Sequence, residues 1–387
     1  MDSDAVRVLH VFGMLGLGGA ETRTMELYRN IDRNRVQFDF LVHTEEPSYY
    51  DEAACELGAD IYRLPRFRGS NYPAYRRAAR QLFSDYAGRW RVVQGHMTST
   101  ASIYLPFAKQ NGAALTIAHA RSAGVEPGIK GIATKLFEYP LRSMNAVDAR
   151  FAVSREAGEA VFGKEAVRTG RVKVVANAID TTRFAFDPDV RAKTRAALGI
   201  LQDALVAGHA GRFHYAKNHE YLLKVFASAK KAATPEEKKR LKLLLVGDGE
   251  RKAEMQALAE RYGIAKDVVF AGNRSDVDAC YQAMDVLVYP SRYEGMPGVV
   301  IEAQATGLRC LISDSITREA DITELVGRMS VTLPHENWAR EVLAALRASE
   351  SRAEQSKRAR KALTAAGFDV REQAREMTDY YLGFKTV

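Results

Sequence analysis

The stretch from Ser291 to Ala303 reads Ser-Arg-Tyr-Glu-Gly-Met-Pro-Gly-Val-Val-Ile-Glu-Ala. It sets two carboxylates, Glu294 and Glu302, on either side of a glycine-rich turn that opens a short helix. Gly295 and Gly298 let backbone come close to a ligand, and the free N–H groups of a helix start around Met296 to Val299 can receive phosphate oxygens. Two acceptor-only side chains then remain for hydroxyls. One can take the diol of a ribose and the other that of a hexose flanking the same diphosphate. The plainer alternative is a capped surface helix with ordinary acidic residues, and the company these residues keep elsewhere has to decide.

A second set of residues lies upstream. Ala210-Gly-Arg-Phe-His-Tyr-Ala-Lys-Asn-His-Glu220 follows an apolar run at Leu205–Gly211. Arg212 offers a planar fork for bidentate phosphate contact, and Lys217 is a point charge for a neighbouring oxygen. Together they can neutralise a leaving diphosphate, because ligands of open α/β sheets bind at the carboxyl ends of strands. The first half of the chain holds a third candidate, Phe12-Gly-Met-Leu-Gly-Leu-Gly-Gly-Ala-Glu-Thr. Its glycines, with Gly18 and Gly19 last, invite a dinucleotide reading. However, the third fingerprint glycine falls on Glu21, and no acidic residue ends the second strand run, Leu41-Val-His43-Thr. What remains is a flexible loop that enters a helix and can approach a diphosphate or simply turn.

These residues need a scaffold, and 387 residues exceed one hydrophobic core, so two domains are expected. A hydrophobic content of 47% and a charged content of 27% are those of a globular protein. Short β-branched runs alternate with helical patterns, which predicts parallel sheets covered on both faces. The first-half runs are Val6–Phe12, Phe38–His43, Val92–His96, Leu115–His119, Ala149–Ser154 and Val172–Ala176. The second-half runs are Leu205–Gly211, Lys242–Gly247, Val268–Ala271, Val286–Pro290 and Arg309–Ser313. Two doubly wound α/β units follow, with the crossing near Asn177–Leu205, where Asp187-Pro-Asp precedes a basic helix at Val190–Leu198. Val370–Phe384 reads as a helix able to fold back.

The three cysteines, Cys55, Cys280 and Cys310, are far apart and lack metal-like spacing, which fits a reducing cytoplasm. No apolar run approaches the roughly 18 residues of a spanning helix, and the start of the chain lacks an export signature. The net charge of +8 is uneven: Ile61 to Arg91 carries eight arginines, among them Arg76, Arg77 and Arg80, against the single acid Asp85. Aromatics are interleaved with them. This mixture suits an anionic surface, whereas the alternative is a solvated helix face whose aromatics point into the core. No helix-turn-helix, zinc-finger or RNP-like pattern accompanies the charge, so nucleic acid is not the expected partner.

Taken in order, Gly18-Gly-Ala-Glu21, His119, Asn177-Ala-Ile-Asp180, Gly211-Arg212 with Lys217-Asn218, Gly247-Asp-Gly249, Gly272-Asn-Arg274 and the Glu294–Glu302 pair run almost end to end. This set resembles a retaining glycosyltransferase of the GT-B fold, family 4, of the capsular and exopolysaccharide type. The resemblance implies an α/β chain of two doubly wound Rossmann-like domains facing a central cleft. Residues 1–182 would bind acceptor, 183–368 would bind the nucleotide-sugar, and a terminal helix within 369–387 would cross back. Glu302 would take the ribose hydroxyls, Glu294 the donor hexose, and Arg212 and Lys217 the diphosphate. Asn218 and the loops at Gly247 and at Asn273-Arg274 would complete the donor site, bordering a uracil base, while His119 would face the reacting carbon. Arg121 has no assigned role beyond the acceptor side.

Departure of a nucleoside diphosphate builds charge that pre-placed cations and helix starts can stabilise, so no metal and no cofactor is expected. Asp276-Val-Asp278 and Asp187-Pro-Asp189 formally match a metal motif of another glycosyltransferase fold without its strand context. Ser275-Asp276 reads more simply as a helix N-cap. His209, His214 and His219 recur at a spacing poor for zinc. Of two departures from the family pattern, Ala178 affects only a turn, whereas Met296-Pro-Gly298 changes the loop nearest the hexose and leaves the donor sugar open. The expected acceptor is a glycan or a polyprenyl-diphosphate-linked glycan at the cytoplasmic membrane face. The arginine-rich stretch and Gly128–Arg142, with Lys130 and Lys135, serve as its binding or membrane candidates. Three alternatives stay open: a nucleotide-sugar epimerase, a non-catalytic nucleotide-sugar binder that tolerates loss of His119, and a nucleic-acid binder that needs only the basic stretch.

Overall fold

The computed structural model describes residues 5–122, 129–143, 145, 147–294, 296–348 and 350–383. The chain forms two compact units, the first from residues 1–179 and 367–387, the second from 180–366. In the first, β1 (Val6–Phe12), β2 (Val36–Val42), β3 (Ile61–Arg63), β4 (Val92–Gly95), β5 (Leu115–Ala120), β6 (Ala149–Ala152) and β7 (Lys173–Val174) form one sheet. Its order is β3-β2-β1-β4-β5-β6-β7 and every pairing is parallel. The central strands are buried on both faces, which is why they read as continuous apolar runs. Leu9 and Val11 of β1 enter one core, while Val8 and Phe12 enter the other.

The second unit repeats the plan. It contains β8 (Leu205–Ala210), β9 (Leu241–Val246), β10 (Val268–Gly272), β11 (Val286–Tyr289), β12 (Arg309–Ser313) and β13 (Val326–Met329) in the order β10-β9-β8-β11-β12-β13. Strand order therefore reverses at β1/β4 and again at β8/β11, and at such reversals the loops beyond the strand ends splay apart to leave a crevice. Edge strands β3 and β13, absent from the sequence expectation, are short and only partly buried.

The chain leaves the first unit at Ile179 and returns beside it. Ile179 accepts from the N–H of Val370 and donates to the carbonyl of Phe368, both at 2.9 Å. The helix Val370–Gly383 then lays Val370, Ala374, Met377 and Tyr381 into the core shared with the helix Gly19–Asn30. That spacing is a single helical stripe, so the last helix is a core element of the first unit. The expected basic helix is present at Pro188–Ala197, capped by Asp187, whose carboxylate accepts from the N–H groups of Asp189 and Val190.

Candidate active site

In the second unit the loops after β8 and β11 meet at the reversal. A single turn of 3-10 helix, Tyr215–Lys217, leads to Asn218 in left-handed backbone at φ 58°. Asn218 is buried, and its side-chain amide donates to the carbonyl of Pro290 at 3.0 Å, tying the two loops together. This aims Lys217 at the end of β11. Its ammonium donates to Glu294 at 2.6 Å and to the Tyr289 hydroxyl at 2.5 Å. An ammonium has three protons, so one donor remains beyond those two.

Burial opposes the charge on Lys217, but Tyr289 and Glu294 outweigh it and raise its pKa above the ordinary lysine value. Burial pushes the Tyr289 hydroxyl up to about 12, so at neutral pH it is a neutral acceptor. Glu294 supplies the countercharge. A carboxylate held this way by an ammonium orients and hydrogen-bonds better than it attacks carbon.

Beyond this pair, the helix Gly298–Ala305 starts at Gly298 with Pro297 at the N-cap position and no side-chain cap. Val300 through Ala305 are buried all round, so Glu302 sits inside the unit, 8% exposed, where the Tyr281 hydroxyl donates to it at 2.7 Å. Met296 and Val299 flank the helix start, half-buried. Gly295 lies outside the described residues.

The loops after β9 and β10 close the same end of the sheet. Gly247 has φ 132°, and a Cβ there would lie 2.3 Å from the Gly211 carbonyl oxygen, so only glycine allows the two loops to touch. Its N–H donates to Gly272 at 2.8 Å. Arg212 does not join Lys217: its guanidinium is exposed and pairs with Glu250 at 3.2 Å. Arg274 is turned onto Asp276 through two contacts of 2.8 and 2.6 Å, and Asn273 is exposed. This corrects the reading of Ser275-Asp276 as a cap. Asp276 stands before the helix Val277–Ala283 without a capping hydrogen bond, because Arg274 takes both its oxygens.

In the first unit His119 is the penultimate residue of β5, 2% exposed. Gln94 accepts from the Tyr381 hydroxyl at 2.7 Å, which orients its amide nitrogen toward His119 Nδ1 at 2.9 Å. Nδ1 is then the acceptor, and the ring proton sits on Nε2. Arg121 lies 3.5 Å from Nε2, a contact rather than a strong hydrogen bond, and donates to the carbonyl of Ala20 at 3.0 Å. Burial, then Arg121 and His10, hold His119 well below its ordinary pKa, so it is a neutral donor at physiological pH. Arg121 itself is pulled down to about 10 by burial. His10, His96, His119, Arg121 and Asn177 line a cavity of about 20 Å³, room for one water.

Gly18 and Gly19 begin the helix Gly19–Asn30. Glu21 folds back over this start, where a Cβ on Gly18 would fall 2.2 Å from its carboxylate oxygen. Burial raises the Glu21 pKa against its own backbone N–H and Arg121. The residue that broke the dinucleotide pattern thus lies over the first turn of this helix, whose N-cap position, Gly18, carries no side-chain capping hydrogen bond.

Arg76, Arg77 and Arg80 lie together on the open face of the helix Tyr72–Asp85, whose other face buries Tyr75, Ala79 and Phe83. Arg121 is not among them, and the side chain of Lys130 lies outside what is described. The sequence reading missed Tyr289 and Tyr281. The first carries a signal, a polar aromatic on the last residue of a strand at the reversal; the second carries none.

Comparisons with known proteins agree with this architecture. Residues 17–183 match the family described as Glycosyltransferase Family 4, and residues 190–362 match Glycosyl transferases group 1. EpsF of Bacillus subtilis (strain 168), named for a glycosyltransferase, is 34% identical over 384 residues, covering 98% of this chain and 97% of its own. The UDP-Gal:alpha-D-GlcNAc-diphosphoundecaprenol alpha-1,3-galactosyltransferase of Escherichia coli is 31% identical over 153 residues, 37% of each chain. Among solved structures, Anabaena HepE in complex with UDP superposes with a TM-score of 0.79 over 98% of this chain and 100% of that one, at 15% identity, a likeness of fold. The two doubly wound sheets are those of the GT-B fold, and with the family 4 match in its first half, the group 1 match in its second and the full-length likeness to the glycosyltransferase EpsF, the chain belongs to glycosyltransferase family 4.

Proposed function

We propose that the protein is a retaining, metal-independent hexosyltransferase that moves a hexose from a UDP-sugar to a glycan or polyprenyl-diphosphate-linked acceptor. Its place would be polysaccharide biosynthesis at the inner face of a membrane. The observation that carries this reading is the Lys217–Glu294 pair, set at the strand reversal beside an uncapped helix start with Glu302 one turn inside. In this reading the third proton of Lys217 and the N–H groups near Gly298 receive the diphosphate, and Glu302 receives the ribose. Glu294 holds a hexose hydroxyl while steadying Lys217. As the bond from the anomeric carbon to the phosphate oxygen breaks, negative charge grows on that oxygen, where the ammonium and helix start lower the barrier. The leaving phosphate accepts the acceptor proton from the same face, so no enzyme carboxylate attacks carbon, and the hydrolase rule for paired carboxylates does not apply.

HepE, solved with UDP, supports the choice of nucleotide, and the Escherichia coli relative, named for UDP-Gal and a diphosphoundecaprenol-linked sugar, supports the acceptor class. The test is a donor screen with lipid-extracted acceptors that follows nucleotide release and product mass. A UDP-sugar is expected to give a product one hexose heavier, without added metal and undiminished by a chelator. Slow hydrolysis or epimerisation with every donor would sink the transferase reading.

A further inference from the structure

The helix Ile129–Glu138 and the residues after it are amphipathic in an unusual sense. The side packed inward carries Gly131, Thr134, Glu138 and Leu141, including a carboxylate that Thr98 satisfies. The outward side carries Ile132, Leu136 and Tyr139, at 71%, 71% and 67% exposure, spaced four and three residues apart as one ridge. Three large apolar side chains in line on open surface form a contiguous patch, the kind of feature that marks a protein or membrane interaction site. Lys135 and Arg142 border it, and the Arg142 guanidinium lies over the Tyr139 ring.

The same fold brings the arginine-rich stretch alongside. Phe137, on the flank of the ridge helix, packs its ring against Phe67 at 5.3 Å and stacks with Tyr72 at 6.1 Å. Phe67 sits between exposed Arg66 and Arg68, and Tyr72 opens the helix that bears Arg76, Arg77 and Arg80. Among the described residues none of these five guanidinium groups has a carboxylate partner, although elsewhere in this unit Arg7, Arg63 and Arg89 are all paired. Cations without carboxylate partners next to an apolar ridge complement one kind of surface, negatively charged headgroups above hydrocarbon.

We propose that this face is the membrane-docking surface of the protein: Ile132, Leu136 and Tyr139 enter the headgroup layer of an anionic bilayer, and Arg66, Arg68, Arg76, Arg77 and Arg80 bind its phosphates. No helix among the described residues is long and apolar enough to cross a membrane, so attachment of this kind is peripheral. The inference deepens the proposed function and rests on its lipid-linked acceptor, whose pyrophosphate lies at that boundary.

Flotation of the full chain with vesicles of phosphatidylglycerol and phosphatidylcholine, against phosphatidylcholine alone, tests it. The wild type is expected to float with the anionic vesicles. Arg76→Gln/Arg77→Gln/Arg80→Gln should lower partitioning about a hundredfold, since each surface cation is worth about fivefold. Ile132→Ser/Leu136→Ser should lower it about a hundredfold as well, roughly tenfold for each side chain withdrawn from the interface. Both variants alter exposed positions and should keep the wild-type melting temperature. A wild type that stays in the soluble fraction, or a double-serine variant that floats equally well, overturns the proposal. A UDP-induced rise in melting temperature, read in parallel, keeps the donor reading separate: its absence with flotation intact removes that reading and leaves the docking surface standing.

Discussion

Lys217 is the residue on which the proposed donor site turns, and its neighbours explain why an ammonium would work there. Lysine in a closed pocket tends to lose its proton, yet Glu294 at 2.6 Å and Tyr289 at 2.5 Å keep this one charged and fix its direction. Tyr289 is then a positioning residue. Removing its hydroxyl by Tyr289→Phe leaves the ion pair but frees Nζ to swing, and the expected result is about a tenfold fall in kcat/KM at unchanged melting temperature. Because Glu294 remains, the loss should be smaller than that of Lys217→Ala, and the two effects should be far from additive. Steady-state kinetics on the two single variants and their double variant check this, and a Tyr289→Phe enzyme with wild-type kcat/KM would remove the role.

The elements carry these residues through contacts that tolerate little change. Gly247 is the clearest case, since its φ of 132° and the 2.3 Å approach to Gly211 leave no space for a side chain. Gly247→Ala should cost about 3 kcal/mol and lower the melting temperature by about 10 °C. An unchanged melting temperature by calorimetry would contradict the loop packing. Most elements were legible because the strands are buried on both faces and so appear as apolar runs. β3 and β13 were not: Ile61-Tyr-Arg63 and Val326-Gly-Arg-Met329 are edge strands with an arginine in each, paired on one side only. In the site, the separation of Glu294 and Glu302 and the cation at Lys217 were legible as residue types at a strand end. Their partners were not. Tyr289 meets Lys217 across 72 positions, Arg212 turns away to Glu250 across 38, and Gln94 orients His119 from a neighbouring strand. Such pairings arise from strand order, which local periodicity does not encode. The ridge of Ile132, Leu136 and Tyr139 was likewise hidden, because spacing shows an apolar stripe without showing which way it faces.

Across the whole molecule, histidines set the response to acid. Burial, before any charged neighbour, lowers His10 to about 3, His43 to about 4, His209 to about 4 and His219 to about 2. Each is neutral in the folded state and titrates near 6.5 once unfolded, so between about 6.5 and 4 the unfolded chain binds more protons and stability falls as pH falls. The slope is about 1.4 kcal/mol per pH unit for each such histidine. Both units contain them, so the melting temperature should drop steeply from pH 7 to 5 for both; a flat profile would mean the histidines are not enclosed. Family 4 membership and the geometry of the second unit converge on one claim, that Lys217 and Glu294 hold a nucleoside diphosphate sugar. Titration calorimetry of UDP into the wild type and Lys217→Ala tests it most directly. The account predicts one site per chain in the wild type and at least tenfold weaker binding in the variant, since a charge-assisted contact to phosphate is lost. No measurable binding by the wild type, or equal affinity in both, would contradict it.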